Sequence, residues 1–375
     1  MKTLWLHIGM AKTASTAIQT FCSENAKLLE REGFCYPIFS ISYPGISRAH
    51  NGCFLLKVIK DSDGTRDVNQ EAANFQEGMK TVHKLFKSYD NVILSNEIIW
   101  RGMDVDKKNF WELMIKEAQK GDFNIRVIVY LRRQDSFISS NWNQLVKRQW
   151  TEETFEHYIS RVDRTMLNYY DKLERMAALI GKENIIVRRF DREKFIGGNI
   201  YSDFLDAVGI SITNEYVITK EVRNTSLYGN THEIKRVLNS IPQIKDRAAQ
   251  TFLVNILQEF SALSKEKYPS EMFSKEEANA LLEDYASGNK KIAEEYLHEP
   301  NAELFDKVQK ELLKWQKDNP YMADDVIRLI GIAGICLYQE NQMLKKEVHE
   351  LSSFRFHLEH PVKTIIRKIK QLTKK

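Results

Sequence analysis

Lys12 lies in a run of small residues, Gly9-Met-Ala-Lys-Thr-Ala-Ser-Thr16, between a short apolar stretch, Thr3–Ile8, and an amphipathic one from Ala17 to about Arg31. A tight loop between a buried strand and a helix points backbone N–H groups and the positive end of the helix dipole at one spot, which favours a phosphate or sulfate group. The lysine precedes the pair Ala14-Ser15 instead of standing directly ahead of the helix. That spacing departs from Gly-x4-Gly-Lys-Ser/Thr and disfavours a nucleoside-triphosphate P-loop. Two further apolar runs also end in polar residues: Asn91–Leu94 leads into Ser95-Asn96-Glu97, and Ile125–Leu131 leads into Arg132-Arg133. Each has the form of a buried parallel strand whose carboxyl end carries function.

These polar ends need a scaffold that brings them together. Ile185–Val187 is a fourth strand candidate, and helical patterns fill the intervals. The alternation of strand and helix predicts an α/β fold, a three-layer parallel sheet flanked by helices. From about Leu227 onward the pattern is helical throughout. The boundaries read as a main domain over 1–320, a long helix over 321–353 and a basic amphipathic tail over 354–375.

Composition narrows the class of partner. The chain has 375 residues, 43% hydrophobic and 28% charged, with few glycines (16) and prolines (7), which points to a compact and largely helical protein without flexible linkers. Its net charge of +4 is local, because the last fifteen residues hold six Lys or Arg and no acid, leaving 49 basic against 51 acidic residues elsewhere. No nucleic-acid-binding surface is expected. Cys22, Cys35, Cys53 and Cys336 form no CxxC pair and no Cys/His cluster, so a reduced, cytoplasmic protein without a structural metal is expected. No stretch has the roughly 20 apolar residues of a spanning helix.

The segment Leu6–Gln19 resembles the 5'-phosphosulfate loop of sulfotransferases that use 3'-phosphoadenosine-5'-phosphosulfate (PAPS). Tyr130-Leu-Arg132, with Ser140 eight residues on, is similar to the 3'-phosphate motif of the same family. The chemistry fits, since a guanidinium offers a planar fork to phosphate oxygens and a hydroxyl donates from the following helix. The pattern is nearest the bacterial polysaccharide type, and weaker likeness continues through Ser47–His50, Leu94–Glu97, Val187–Phe190, Phe204–Gly209, Arg223–Leu227 and Asn279–Tyr285, with Asn289 and Tyr296. Ala14 stands where that family usually has glycine, and the Gly-x-x-Gly-x-x-Lys loop of cytosolic relatives is absent.

The resemblance implies in-line transfer of a sulfuryl group from PAPS to a carbohydrate hydroxyl without a metal, with the P-loop-like sulfotransferase fold. Lys12 would stabilise the leaving phosphate with Thr13, Ala14, Ser15 and Thr16 around it, while Arg132, Ser140 and Arg223 would bind the adenosine 3'-phosphate. The acceptor needs a general base. Glu97 and His50 compete for that role, both at positions where relatives carry functional residues. Trp100, Arg101, Trp142, Asn143 and Trp150 suit a sugar-binding surface or core packing equally; Lys147 and Arg148 could meet an acidic glycan, with a solvated helix face the simpler reading. The other functions compatible with these residues are a P-loop-type kinase of a small molecule or sugar, and a non-catalytic nucleotide-binding component of a glycan assembly complex.

Two features lie outside that site. Ile327, Ile330, Gly334, Leu337, Asn341, Leu344, Val348 and Leu351 step by three and four residues, the pattern of a coiled-coil homodimer seam or of an amphipathic helix packed on the domain. In the tail, Val362, Ile365, Ile366, Ile369 and Leu372 share one helical face among six cations. That is the form of an interfacial helix, placing a cytoplasmic enzyme peripherally on the anionic inner face of the cell membrane.

Overall fold

A computed structural model describes residues 2–102, 108–148, 151–218, 226–264, 269–352, 360–363 and 365–366. The chain opens with β1 (Lys2–His7), α1 (Ser15–Glu24), α2 (Ala26–Arg31), β2 (Phe34–Cys35), α3 (Val68–Leu85) and β3 (Asn91–Ser95). It continues with α4 (Ile98–Gly102), α5 (Lys108–Gly121), β4 (Phe123–Leu131), α6 (Gln134–Arg148), α7 (Phe155–Arg161), α8 (Tyr169–Ile180), β5 (Ile185–Arg189) and α9 (Ile200–Ala207). Five more α-helices follow among the described residues, α10 (Asn230–Leu238), α11 (Arg247–Ser264), α12 (Lys275–Glu283), α13 (Ala286–Glu295) and α14 (Met322–Ser352), with a 3₁₀ turn at Pro242–Lys245 between α10 and α11.

The five strands form one parallel sheet in the order β2-β3-β1-β4-β5, flanked by helices as expected. β1 is central, with His7 opposite Ser95 of β3 on one side and Ile128 of β4 on the other. The chain leaves β1 and returns on both sides of it, so the carboxyl ends of β1, β3 and β4 border the crevice where ligands bind in open parallel sheets. Leu4, Leu6, Val92, Ile93, Leu94 and Val127 to Leu131 are wholly buried, which explains strands that read as unbroken apolar runs.

The amphipathic stretch after the loop is two helices instead of one. The Asn25 side chain donates to Phe21 O at 2.9 Å and to Val217 O at 2.9 Å, and accepts from the Val217 amide at 2.8 Å. Asn25 is thereby held outside helical geometry between α1 and α2.

The chain divides into two compact units: residues 1–149, 153–226 and 271–314, and residues 150–152, 227–270 and 315–375. The first holds the sheet. In the second, α10, α11 and α14 share an apolar core of Leu227, Ile234, Ile256, Leu257, Phe260 and Leu329. α10 and α11, which fall within the expected main domain over 1–320, bury apolar residues against α14 in this second unit. Of the tail, residues 360–363 and 365–366 are described, with Val362, Ile365 and Ile366 exposed; the rest of its basic run lies outside the described residues. No helix among the described residues is long and apolar enough to cross a membrane.

Candidate active site at the carboxyl end of the sheet

The loop leaving β1 is folded tightly. Lys12 and Ala14 both adopt left-handed backbone conformations, at φ 71° and 58°. The buried Thr13 hydroxyl donates to Met10 O at 2.6 Å, and Ala14 O accepts the amides of Ala17 at 2.9 Å and Ile18 at 3.1 Å to start α1. Among the described residues the amides of Lys12 to Thr16 make no hydrogen bond, and α1 has no side-chain cap. A β-carbon on Gly9 would stand 2.7 Å from Ser15 Oγ and 3.1 Å from His7 Nε2, so the small residue there lets the loop close. Those two atoms are buried without a hydrogen-bond partner. A run of unpaired N–H groups at a helix start, beside left-handed residues, is a concavity for an anion.

Side chains from distant segments surround it. Lys12 Nζ donates to Gln144 Oε1 at 2.7 Å. Arg132, at the end of β4, donates through Nη1 to Lys12 O at 2.8 Å and through Nε to Ser136 Oγ at 2.8 Å, and its guanidinium lies 5.6 Å from the Phe190 ring centre. The arginine therefore clamps the loop, and its hydroxyl partner is Ser136, one turn ahead of Ser140 in α6. Ser136, Ser140, Gln144 and Lys147 recur at spacings of four, four and three, so they share one face of α6.

Lys147 corrects the reading of a solvated face, because it is only 2% exposed. Burial, with Lys12 and Arg148 nearby, lowers its pKa to about 7. Lys12 falls to about 8 through burial and the neighbouring Arg132, opposed by Glu97, with Arg148 adding to the depression. Cations that depress one another around an anion-shaped loop form a site whose charge is completed by a negative ligand.

The end of β3 carries the groups suited to proton transfer. His50 Nε2 lies 3.5 Å from Glu97 Oε2 and 3.3 Å from Asn96 Oδ1. Gln19, from α1, donates to the same Glu97 oxygen at 3.2 Å and to Ser95 Oγ at 3.1 Å. Glu97 and His50, alternatives in the sequence, are neighbours in the fold. The His50 loop is fastened to β3 by buried Asn51, which donates to Ile93 O at 3.0 Å and accepts from the Ser95 amide at 2.9 Å. Gly52 donates to Ser95 O at 3.1 Å, and a β-carbon there would come within 2.8 Å of that carbonyl oxygen. Beneath the pair, His7 Nδ1 meets Ser95 Oγ at 2.8 Å, and burial, followed by the charge of His50, lowers the His7 pKa to about 3. A small pocket lined by Phe39, Tyr43, Ser47, Arg48 and Asn51 lies beside His50.

Not every expected residue reaches this place. Trp100 and Trp142 are core residues, 3% and 1% exposed. Trp100 packs edge-on against Tyr169, and Trp142 packs against Phe155 while donating to Glu153 O at 3.1 Å. Arg223 and Trp150, and the side chain of Arg101, lie outside the described residues. Gln19, Ser136 and Gln144 were not singled out by sequence; the four-residue step from Arg132 through Ser136 and Ser140 to Gln144 was the available signal.

No family model matches the chain. An uncharacterized protein of Archaeoglobus fulgidus is 30% identical over 226 residues, 58% of this chain, and the match spans only 60% of that relative's length. A sulfotransferase structure from Alicyclobacillus acidocaldarius aligns over 67% of this chain and 99% of its own, at 12% identity and a TM-score of 0.34, a likeness too slight to carry function.

Proposed function

We propose that this protein is a sulfotransferase that moves a sulfuryl group from PAPS to a hydroxyl of a carbohydrate acceptor. The observation that carries the reading is the convergence of an amide-lined loop bearing Lys12, the Arg132 clamp and the Glu97–His50 pair at adjacent strand ends. The residues fit such a donor: unpaired amides at Lys12 to Thr16 suit the 5'-phosphosulfate, and Arg132 with Ser136 and Ser140 suits a 3'-phosphate. The carbohydrate acceptor rests on the resemblance of the sequence to the bacterial polysaccharide-type pattern.

In this reading PAPS supplies an activated sulfuryl group. The acceptor oxygen approaches from the pocket beside His50. Its bond to sulfur forms as the bond from sulfur to the 5'-phosphate oxygen breaks, and its proton passes to the Glu97–His50 pair. Gln19 holds the Glu97 carboxylate in place for that transfer. Lys12 and the loop amides meet the negative charge that develops on the departing phosphate, an electrostatic contribution that grows towards the transition state.

Calorimetry with adenosine 3',5'-bisphosphate and with ATP tests the donor site, and transfer from labelled PAPS to a panel of glycans, read by mass spectrometry, tests the reaction. Preference for the bisphosphate together with a sulfated glycan is the expected result. Preference for ATP would overturn the donor assignment in favour of a kinase, and bisphosphate binding without transfer to any glycan would overturn the acceptor.

A further inference from the structure

α14 has two apolar faces, and among the described residues one of them packs into a core. Leu329, Ile332, Ala333 and Cys336 pack into the core shared with α10 and α11. With Ile327 at heptad position a, those residues occupy positions c, f, g and c. The a and d positions are Ile327, Ile330, Gly334, Leu337, Asn341, Leu344, Val348 and Leu351. From Ile327 to Val348 these positions are exposed: Ile327 and Ile330 are 67% exposed, Leu337 and Leu344 53%, and Val348 58%. The seam runs for about 37 Å at 1.5 Å per residue. An exposed apolar stripe of that length marks an interaction surface.

We propose that two copies of this chain associate through α14 as a parallel, in-register, two-stranded coiled coil. Three features of the seam select that partner. β-branched Ile327 and Val348 at a, with leucine at three of the four d positions (Leu337, Leu344 and Leu351, against Ile330), favour two strands in parallel. Asn341, exposed at an a position, meets its own copy only when the helices are parallel and in register, where the two amides satisfy each other. Glu340 at g stands five residues before Lys345 at e, the spacing that sets a carboxylate against an ammonium across a parallel pair, twice per dimer. Antiparallel packing instead sets g against g, bringing Glu340 and Glu347 towards like charges. Gly334 at a leaves a gap in the seam and weakens the pair, so association is to be read across a concentration series from about 1 to 100 µM.

Sedimentation equilibrium of the full chain over that range tests the proposal. The expected mass rises towards twice the 43.9 kDa of the chain, and Leu344→Glu holds it at one chain throughout with an unchanged circular dichroism spectrum. Lys345→Glu should weaken association about tenfold, and adding Glu340→Lys should restore it. Val348→Cys should form a disulfide-linked dimer on mild oxidation, with the parent chain as control for Cys336, because a positions face each other only in the parallel register. A monomeric parent protein at the highest concentration, an assembly larger than two, association unaffected by Leu344→Glu, or no cross-link at Val348→Cys would each overturn it.

Discussion

Replacing Lys12 by methionine removes an ammonium group set beside the unpaired amides of the loop, and the structure gives the size of the loss. Burial and Arg132 hold its pKa at about 8, with Glu97 opposing and Arg148 reinforcing the depression. A phosphate about 4 Å from the ammonium is worth about 4 kcal/mol per unit charge at an effective dielectric constant near 20. Restoring the lysine from about 8 to its ordinary pKa corresponds to roughly 3 kcal/mol. Discounted for solvent screening and for the contacts that Arg132 and the loop amides keep, the Coulomb term leaves a loss of about 100-fold in adenosine 3',5'-bisphosphate binding for Lys12→Met at neutral pH. The sign of the pH dependence follows. Below pH 8 the free protein already carries the proton; above it the ligand must restore the proton, so affinity falls by about tenfold per pH unit until the ordinary pKa is passed. Lys147, at about 7, adds a similar slope from one unit lower wherever its charge is also needed. Calorimetric titrations from about pH 6.5 to 9.5 should show the Lys12→Met slope reduced by one proton. Lys12→Arg should flatten the same limb, since a guanidinium keeps its proton. A Lys12→Met protein that binds within about threefold of the parent, or that keeps the full alkaline slope, would refute the reasoning.

The same calorimetry resolves the arginine clamp. Arg132→Ala should cost about 1–3 kcal/mol of bisphosphate affinity, because it removes both a phosphate ligand and the bond to Lys12 O. Ser140→Ala should weaken binding about tenfold and Ser136→Ala less than about threefold; the reverse order would assign the 3'-phosphate contact to Ser136. Glu97→Gln and His50→Asn should each reduce turnover by about 100-fold at saturating donor while bisphosphate affinity is kept, and full turnover in both variants would remove the pair from the mechanism. Ala14→Gly should raise stability by about 0.5–1 kcal/mol in denaturant titrations, since alanine at φ 58° carries a left-handed strain of about 1–2 kcal/mol that exceeds the entropic cost of glycine. Ala14→Val should lower it, and an unchanged midpoint in both variants would mean that position 14 is not strained as described.

Local pattern was sufficient for the strand, loop and helix around Lys12, for the polar ends of β3 and β4, and for the helical character after Leu227. Those features depend on residues close in sequence, where burial on both faces writes itself as an apolar run and a tight loop as small residues. β2 escaped notice because two residues are too few to show a period. The break at Asn25 was hidden because it depends on Val217, 192 residues away. The site itself was legible only in part. Lys12, Arg132, Glu97 and His50 stand out by residue type and position, but type says nothing of partners. Folding brings Gln144 to Lys12 across 132 residues and His50 beside Glu97, turning two alternatives for one role into a pair. It buries Lys147, whose charge and place near the end of α6 read as solvent-facing, and it decides for Trp100 and Trp142 between a sugar surface and the core, which their sequence context left equally open. Burial is a property of what packs across a helix, and the sequence of that helix alone does not contain it; the three-dimensional arrangement decides which polar groups meet and which charges perturb one another.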